Sequence, residues 1–177
     1  MYWNNFKKIT EECFEDIEYE ECCGFQIQTG TKWNKGLSDI EIKQLERKIG
    51  FEFPYEYLKM LSVMNGFDRE NISIDPDEVY ENEFKRICYK YPEDFKNVKW
   101  LLDDIDENIK YINYELDSQG LNSKDVTGFI PLYLHRALVV FKDKELSPVI
   151  SIYGNDVVIF GNSLIEYWKS EFEYECF

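Results

Sequence analysis

The sequence predicts a single α+β domain in which amphipathic helices pack on an antiparallel β-sheet. Between residues 129 and 160, short runs rich in Ile, Val, Phe and Tyr are separated by Gly, Asn, Asp and Pro, a pattern typical of successive antiparallel strands. Upstream segments place apolar residues three and four positions apart, which is the period of a helix with one buried face. The 177 residues contain no internal repeat and no Pro- or Ser-rich linker, so we expect one domain over residues 1–177.

Two helices are predicted in the first 50 residues. Residues 2–18 combine an apolar stripe with a row of acidic side chains on the other face. Ser38 and Glu41 have the spacing of a capping box, in which each side chain bonds the backbone N–H of the other residue. This second helix should end at Gly50, because glycine readily adopts the left-handed conformation found just after a helix.

A third helix should begin at Pro54, because the first turn of a helix does not need the N–H that proline lacks. Asn65-Gly66 is expected to stop it. Between the first and second helices, residues 25–29 predict either a short strand or an irregular connection. Residues 30–36 predict a loop.

The middle of the chain gives three predictions. Residues 72–74 alternate apolar and polar side chains, as a short strand does, and residues 78–91 are loosely periodic, as a helix is. Residues 94–118 carry a sustained helical stripe of apolar side chains, so a long helix is expected there.

The last third of the chain predicts a hairpin and a final helix. Gly154-Asn155-Asp156 separates two β-branched runs, and Gly and Asn tolerate the positive φ angles that a tight turn requires. The flanking strands should therefore pair directly. Asn162 or Ser163 can then cap a last amphipathic helix.

The charge of the chain restricts its partners. There are 35 acidic and 20 basic residues, which gives a formal net charge of −15. Such a field repels nucleic acid and anionic membranes and attracts basic proteins. We therefore expect a basic protein partner, no direct nucleic-acid binding and no membrane association. Because no run approaches the roughly 20 apolar residues of a membrane span and no signal peptide is visible, a cytoplasmic location is expected.

The cysteine and histidine content argues against a disulfide framework and against a metal site. The number of cysteines is odd and their spacing is irregular, at positions Cys13, Cys22, Cys23, Cys88 and Cys176. A single histidine and no paired Cys-x-x-Cys units leave too few ligands for structural zinc. We expect no metal and no cofactor.

The order of several short motifs resembles the SUKH superfamily, which joins fungal cell-wall assembly regulators to bacterial immunity proteins. In the first half these are Leu37-Ser38-x-x-Glu41, Leu45-Glu46, Gly50-Phe51-x-Phe53-Pro54-x-x-Tyr57 and Asn65-Gly66. In the second half they are Ile130-Pro131-Leu132-Tyr133-x-His135-Arg136 and Pro148-Val149-x-Ser151-Ile152-Tyr153-Gly154-x-Asp156. The resemblance covers residues 37–168, and the acidic stretch 67–128 departs from the family pattern.

This resemblance implies an α+β fold whose antiparallel or mixed sheet has helices packed mainly on one face. It also implies a binding role without catalysis. Bacterial members commonly neutralise a cognate toxin, often a nuclease, whereas the fungal members suggest the alternative of a regulatory scaffold that binds other proteins. The expected function is therefore that of an immunity protein that occludes a toxin by steric and electrostatic means.

His135 offers an enzymatic alternative. An imidazole titrates near neutral pH, so His135 could act as a general base with Asp156 as the group that orients it. The other interpretation is a structural residue at the end of a strand, packed beside Arg136. Because no nucleophile motif accompanies the histidine, we expect the structural role and no catalytic activity.

The acidic side of the 94–118 helix is the predicted partner-binding surface. Asp103, Asp106 and Glu107 can share one face and guide a basic toxin, whereas Asp104 lies nearer the flank. The alternative is an ordinary solvated helix face. Exposed aromatic residues anchor many interfaces, and the candidates are Trp33, Tyr111 and Tyr114. The alternative is that these aromatic residues serve the core.

Overall fold

The computed structural model describes residues 2–18, 24–74, 83–172 and 176. The helices of this part of the chain are α1 (Tyr2–Glu15), α2 (Asp39–Ile49), α3 (Tyr55–Leu61), α4 (Lys99–Ser118) and α5 (Leu164–Glu171). The strands are β1 (Gly24–Gln26), β2 (Trp33–Lys35), β3 (Met64–Phe67), β4 (Asn71–Ile74), β5 (Glu83–Lys85), β6 (Val126–Tyr133), β7 (Arg136–Phe141), β8 (Val149–Tyr153) and β9 (Asp156–Gly161).

A four-stranded antiparallel sheet in the order β6-β7-β8-β9 forms the centre of the molecule. Side chains alternate along β7, so Ala137, Val139 and Phe141 face the core beneath α4, whereas Leu138 and Val140 face a second core. The other four described helices contribute buried residues to that second core. This arrangement confirms the predicted α+β class, with helices mainly on one face.

The predicted N-terminal caps of α2 and α5 and the predicted C-terminal glycine of α2 are present. Ser38 Oγ accepts a hydrogen bond from the Glu41 N–H at 3.4 Å, and the Ser38 N–H donates to Glu41 Oε2 at 2.8 Å, which completes the capping box. Gly50 has the expected left-handed conformation, with φ of 97°. Ser163 Oγ accepts from the backbone N–H of Glu166 at 3.1 Å and so caps α5.

The predicted hairpin is also confirmed. Strands β8 and β9 pair around the Gly154-Asn155 turn, where Gly154 has φ of 58°.

The first half contains more strand than the sequence predicts. Residues 33–35 form β2 instead of a loop, and α3 ends at Leu61, so Asn65-Gly66 lies inside β3. Strand β2 pairs with β3, and Trp33 lies opposite Phe67. Pairing partners about 30 residues apart in sequence leave no signal in a local window, which explains both errors.

The helix predicted over residues 78–91 is wrong wherever the structure describes these residues. Residues 83–85 form β5, and Cys88 makes an isolated bridge with Tyr133. Residues 78–82 lie outside the described part of the chain. The long helix is confirmed, but it begins at Lys99, after a short 3₁₀ turn at Glu93–Phe95.

The cysteine prediction needs a correction, because Cys13 and Cys176 form a disulfide with their Cα atoms 5.5 Å apart. The bond joins α1 to Cys176 across 163 residues of sequence, so the spacing of the cysteines could not predict it. Cys88 is a buried free thiol, and Cys22 and Cys23 lie outside the described residues. No helix in the described ranges has the length and apolar character needed to cross a membrane.

Candidate functional site

Helix α4 has a fixed position on the sheet, because its inner side is buried in the core. Leu101, Ile105, Ile112 and Leu116 are each at most 2% exposed and pack against the four-stranded sheet. Burying four such side chains holds the helix in one rotational setting. The outer side chains therefore have defined positions relative to the sheet.

The outer side of α4 combines acidic and aromatic residues in one stripe. Trp100, Asp103, Glu107, Tyr111 and Tyr114 follow one another at spacings of three and four residues, so they lie on one face and span about 21 Å along the axis. The aromatic rings are accessible: Trp100 is 41% exposed, Tyr111 37% and Tyr114 75%. Together with the neighbouring exposed Asp106, we call these residues the α4 face.

The acidic side chains of this face are largely exposed to solvent. Helix α4 carries six acidic residues and two lysines, for a formal charge of −4. Asp103 pairs with Lys99 at 3.7 Å, but both side chains remain more than half exposed, so solvent screens the pair. Lys110 Nζ lies 4.5 Å from the ring centroid of Tyr111.

The predicted distinction between Asp104 and its neighbours holds in the structure. Asp104 is half-buried, and its carboxylate accepts a hydrogen bond from Asn108 Nδ2 at 2.9 Å. Asp103, Asp106 and Glu107 are exposed. The structure thus places the predicted acidic trio on the α4 face together with Tyr111 and Tyr114.

One residue predicted as an interface candidate, Trp33, is buried in the structure. Trp33 is only 4% exposed, its indole N–H donates to Thr10 Oγ1 at 2.8 Å, and its ring centroid lies 4.6 Å from that of Phe67. Trp33 is a core residue and cannot anchor a partner. Sequence reasoning missed Trp100 instead, although its position three residues before Asp103 already places it on the same side of the helix.

Several residues of the family-like motifs form a buried junction instead of a surface site. The Asn65 amide donates from Nδ2 to the Tyr91 carbonyl at 2.6 Å, and Asn65 Oδ1 accepts from the Tyr91 N–H at 3.0 Å. The Tyr91 hydroxyl then donates to the Pro131 carbonyl at 2.8 Å. Tyr57 lies in the same core at 1% exposure. These contacts tie β3 to β6 and give the motif residues a role in the fold.

Of the remaining motif residues, Pro54 is the residue that precedes the first turn of α3. Tyr153 and Gly154 lie at the tip of the β8–β9 hairpin, where Tyr153 is 80% exposed. Gly66 contributes through its backbone, since it has φ of 67° and lies tightly against Tyr89 and Lys90.

His135 lies beside a half-buried ion pair at the β6–β7 turn. Arg136 Nη1 lies 3.0 Å from His135 Nε2, and Arg136 Nε lies 3.1 Å from Glu171 Oε2. The guanidinium carbon of Arg136 also lies 4.4 Å from the ring centroid of Phe160. Burial, and then the nearby Arg136 charge, lower the pKa of His135, so its imidazole is neutral at pH 7 with Nε2 accepting.

This geometry differs from the arrangement that the enzymatic alternative needs. No hydrogen bond joins His135 to Asp156, both of which are described residues, and Asp156 is exposed where it pairs with Tyr153 in the hairpin. His135 instead contacts the exposed Tyr153 ring edge-on, at a centroid distance of 6.2 Å. Among the described residues, the imidazole is therefore positioned by a cation and a tyrosine, and no carboxylate orients it as a base.

No model of a known protein family, no curated protein and no solved structure matches this chain. Within the described ranges, no group of three or more His, Cys, Asp or Glu side chains is arranged to hold a metal ion. The α4 face is the candidate site, because it presents acidic and aromatic side chains together on the exposed side of one helix.

Proposed function

We propose that this chain is a non-catalytic binding protein of the SUKH type, an immunity protein that neutralises a basic toxin domain through the α4 face. The observation that carries the proposal is the joint exposure of acidic and aromatic side chains on a helix whose other side is fixed in the core. A net charge of −15 adds long-range attraction for a basic protein.

In this proposal, the acidic residues set the association rate and the aromatic residues stabilise the bound complex. Asp103, Asp106 and Glu107 accelerate encounter, because exposed charges act mainly on the association rate and are screened by salt. Tyr114 and Trp100 hold the complex, since large aromatic side chains bury much apolar area with few rotatable bonds. The bound α4 face and the bulk of the domain behind it then cover the surface that the toxin uses for its substrate.

The proposed compartment is the cytoplasm, where the Cys13–Cys176 bond would be reduced, because disulfides are rarely maintained there. Cys13 and Cys176 lie on the side of the sheet opposite to α4. Toxin binding should therefore be the same with and without a dithiol reductant.

Where a gene adjacent to this one encodes a toxin domain, that domain is immobilised and its binding kinetics with this protein are measured. We expect Asp103→Asn/Glu107→Gln to slow association several-fold at low salt and to change dissociation little. We expect Tyr114→Ala to weaken the complex about tenfold, mostly through faster dissociation, because an anchor residue contributes more than about 1 kcal/mol.

Matched controls are available in the chain. Glu70→Gln/Glu145→Gln removes the same charge from exposed positions outside α4, and Tyr153→Ala removes an aromatic ring that is 80% exposed, close to the 75% of Tyr114. Both controls should bind like the parent protein. Equal losses in variants and controls would show that the α4 face is not the interface.

The proposal as a whole fails if a folded neighbouring toxin is present and this protein does not bind it. The regulatory-scaffold alternative then gains weight. The enzymatic alternative requires a substrate turned over by the parent protein and not by His135→Ala.

A further inference from the structure

A small internal cavity lies in the second core, where several of the family-like motifs meet. Its volume is about 10 Å³, and its walls include the motif residues Tyr57, Asn65, Gly66 and Pro131. These residues come from α3, β3 and β6, and further walls come from β2, from the 88–91 segment and from α5. Every residue that lines the cavity is described and buried. The proposed function does not use this cavity.

The indole of Trp168 brings an unsatisfied donor to the wall. Trp168 is 1% exposed, and its Nε1 has no hydrogen-bond partner in the described part of the chain. Trp33 lines the same cavity, but its indole N–H already donates to Thr10 Oγ1 at 2.8 Å. An indole nitrogen can only donate, and most buried donors in folded proteins have an acceptor. The Trp168 N–H therefore needs an acceptor that the described residues do not supply.

Asn65 has unused bonding capacity at the same cavity. Its Nδ2 donates to the Tyr91 carbonyl at 2.6 Å, and its Oδ1 accepts from the Tyr91 N–H at 3.0 Å. A carboxamide has two N–H groups and two lone pairs, so these bonds leave one of each. The hydroxyl of Tyr57 can also donate and accept. The cavity is thus polar, whereas cavities that stay empty are apolar.

The size and charge of the cavity restrict what it can bind. No Asp, Glu, Lys, Arg or His is among the lining residues. Burial raises the pKa of the Tyr57 phenol and of the Cys88 thiol, so both are neutral at pH 7. An ion would lose its hydration there without meeting an opposite charge. The volume is far below that of a site for an organic ligand, but it is about the space that one water molecule needs.

We propose that this cavity binds one water molecule, which accepts a hydrogen bond from the Trp168 indole N–H and donates one to Asn65 Oδ1. Such a water joins α5 to β3, and the Asn65–Tyr91 bonds continue the connection towards β6. A buried water with several bonds is a part of the structure. The inference does not depend on the toxin proposal, because no residue of α4 lines the cavity.

The test is nuclear magnetic resonance of the full chain labelled with nitrogen-15. Water held inside a protein gives cross-peaks of opposite sign in nuclear Overhauser and rotating-frame spectra, whereas proton exchange with bulk water gives the same sign in both. We expect the opposite-sign pattern at the Trp168 indole N–H. The internal control is the backbone N–H of Val139, which is 0% exposed and donates to the Pro148 carbonyl at 2.9 Å. It should show no water cross-peak.

Tyr57→Phe separates a bound water from a relayed signal. A hydroxyl proton exchanges with bulk water and can pass its magnetisation to a nearby N–H. Phenylalanine removes this proton and keeps the ring, so the water cross-peak of Trp168 should remain. A crystal structure of the parent protein gives a second readout, in which we expect ordered density within hydrogen-bond distance of Trp168 Nε1 and Asn65 Oδ1. The proposal is overturned if Trp168 shows no opposite-sign cross-peak, if Tyr57→Phe abolishes it, or if this density is absent.

Discussion

Asn65→Ala is the change that most directly tests the buried junction between β3 and β6. The Asn65 side chain is 2% exposed and bonds both the N–H and the carbonyl of Tyr91, which is itself 3% exposed. Alanine removes both partners and leaves two buried backbone groups unpaired. Each unpaired group costs about 1–3 kcal/mol, so we expect a loss of about 3 kcal/mol of unfolding free energy after partial relaxation.

The measurement is thermal and urea unfolding followed by circular dichroism. For a domain of this size, about 3 kcal/mol corresponds to a fall in Tm of roughly 6–12 °C. Asn4→Ala is the control, because Asn4 is exposed on α1 and alanine is at least as good a helix former, so stability should change by less than about 0.5 kcal/mol. A loss below about 1 kcal/mol for Asn65→Ala would refute the reasoning that these two bonds support the junction.

Two further changes test other parts of the fold. Gly66→Ala should lower the free energy of unfolding by more than about 2 kcal/mol, because φ is 67° and an added Cβ would lie 2.6 Å from the Tyr89 carbonyl oxygen. Gly154 has a similar φ of 58°, but an added Cβ there would meet nothing within 4 Å. Gly154→Ala should therefore cost only the roughly 1–2 kcal/mol of left-handed strain. Equal urea midpoints for the two variants would contradict the predicted crowding. Cys176→Ser should lower the unfolding free energy of the oxidised protein by up to about 5 kcal/mol, because the Cys13–Cys176 bond closes a very long loop. The Tm of this variant should not respond to dithiothreitol. A parent protein whose Tm is unchanged after its thiols are shown to be fully reduced would argue against this stabilisation.

Local chemistry made part of the fold predictable. The Ser38–Glu41 capping box, the Gly50 terminus and the Gly154-Asn155 turn each depend on residues within a few positions of one another, and all three are present. The length of α4 also made its amphipathic stripe easy to recognise, so the acidic trio was placed correctly on its outer side.

Contacts between distant parts of the chain decided the rest. Trp33 is a core residue because the pairing of β2 with β3 places its indole N–H within hydrogen-bond distance of Thr10, which is 23 positions away in sequence. The Cys13–Cys176 bond requires α1 to meet a residue 163 positions later in the chain. The sequence by itself thus determined the helices, the hairpin and the acidic face, because their signals are local and periodic. Tertiary structure alone decided which aromatic residues remain exposed and which cysteines are bonded, because burial and disulfide pairing depend on the packing of segments far apart in sequence.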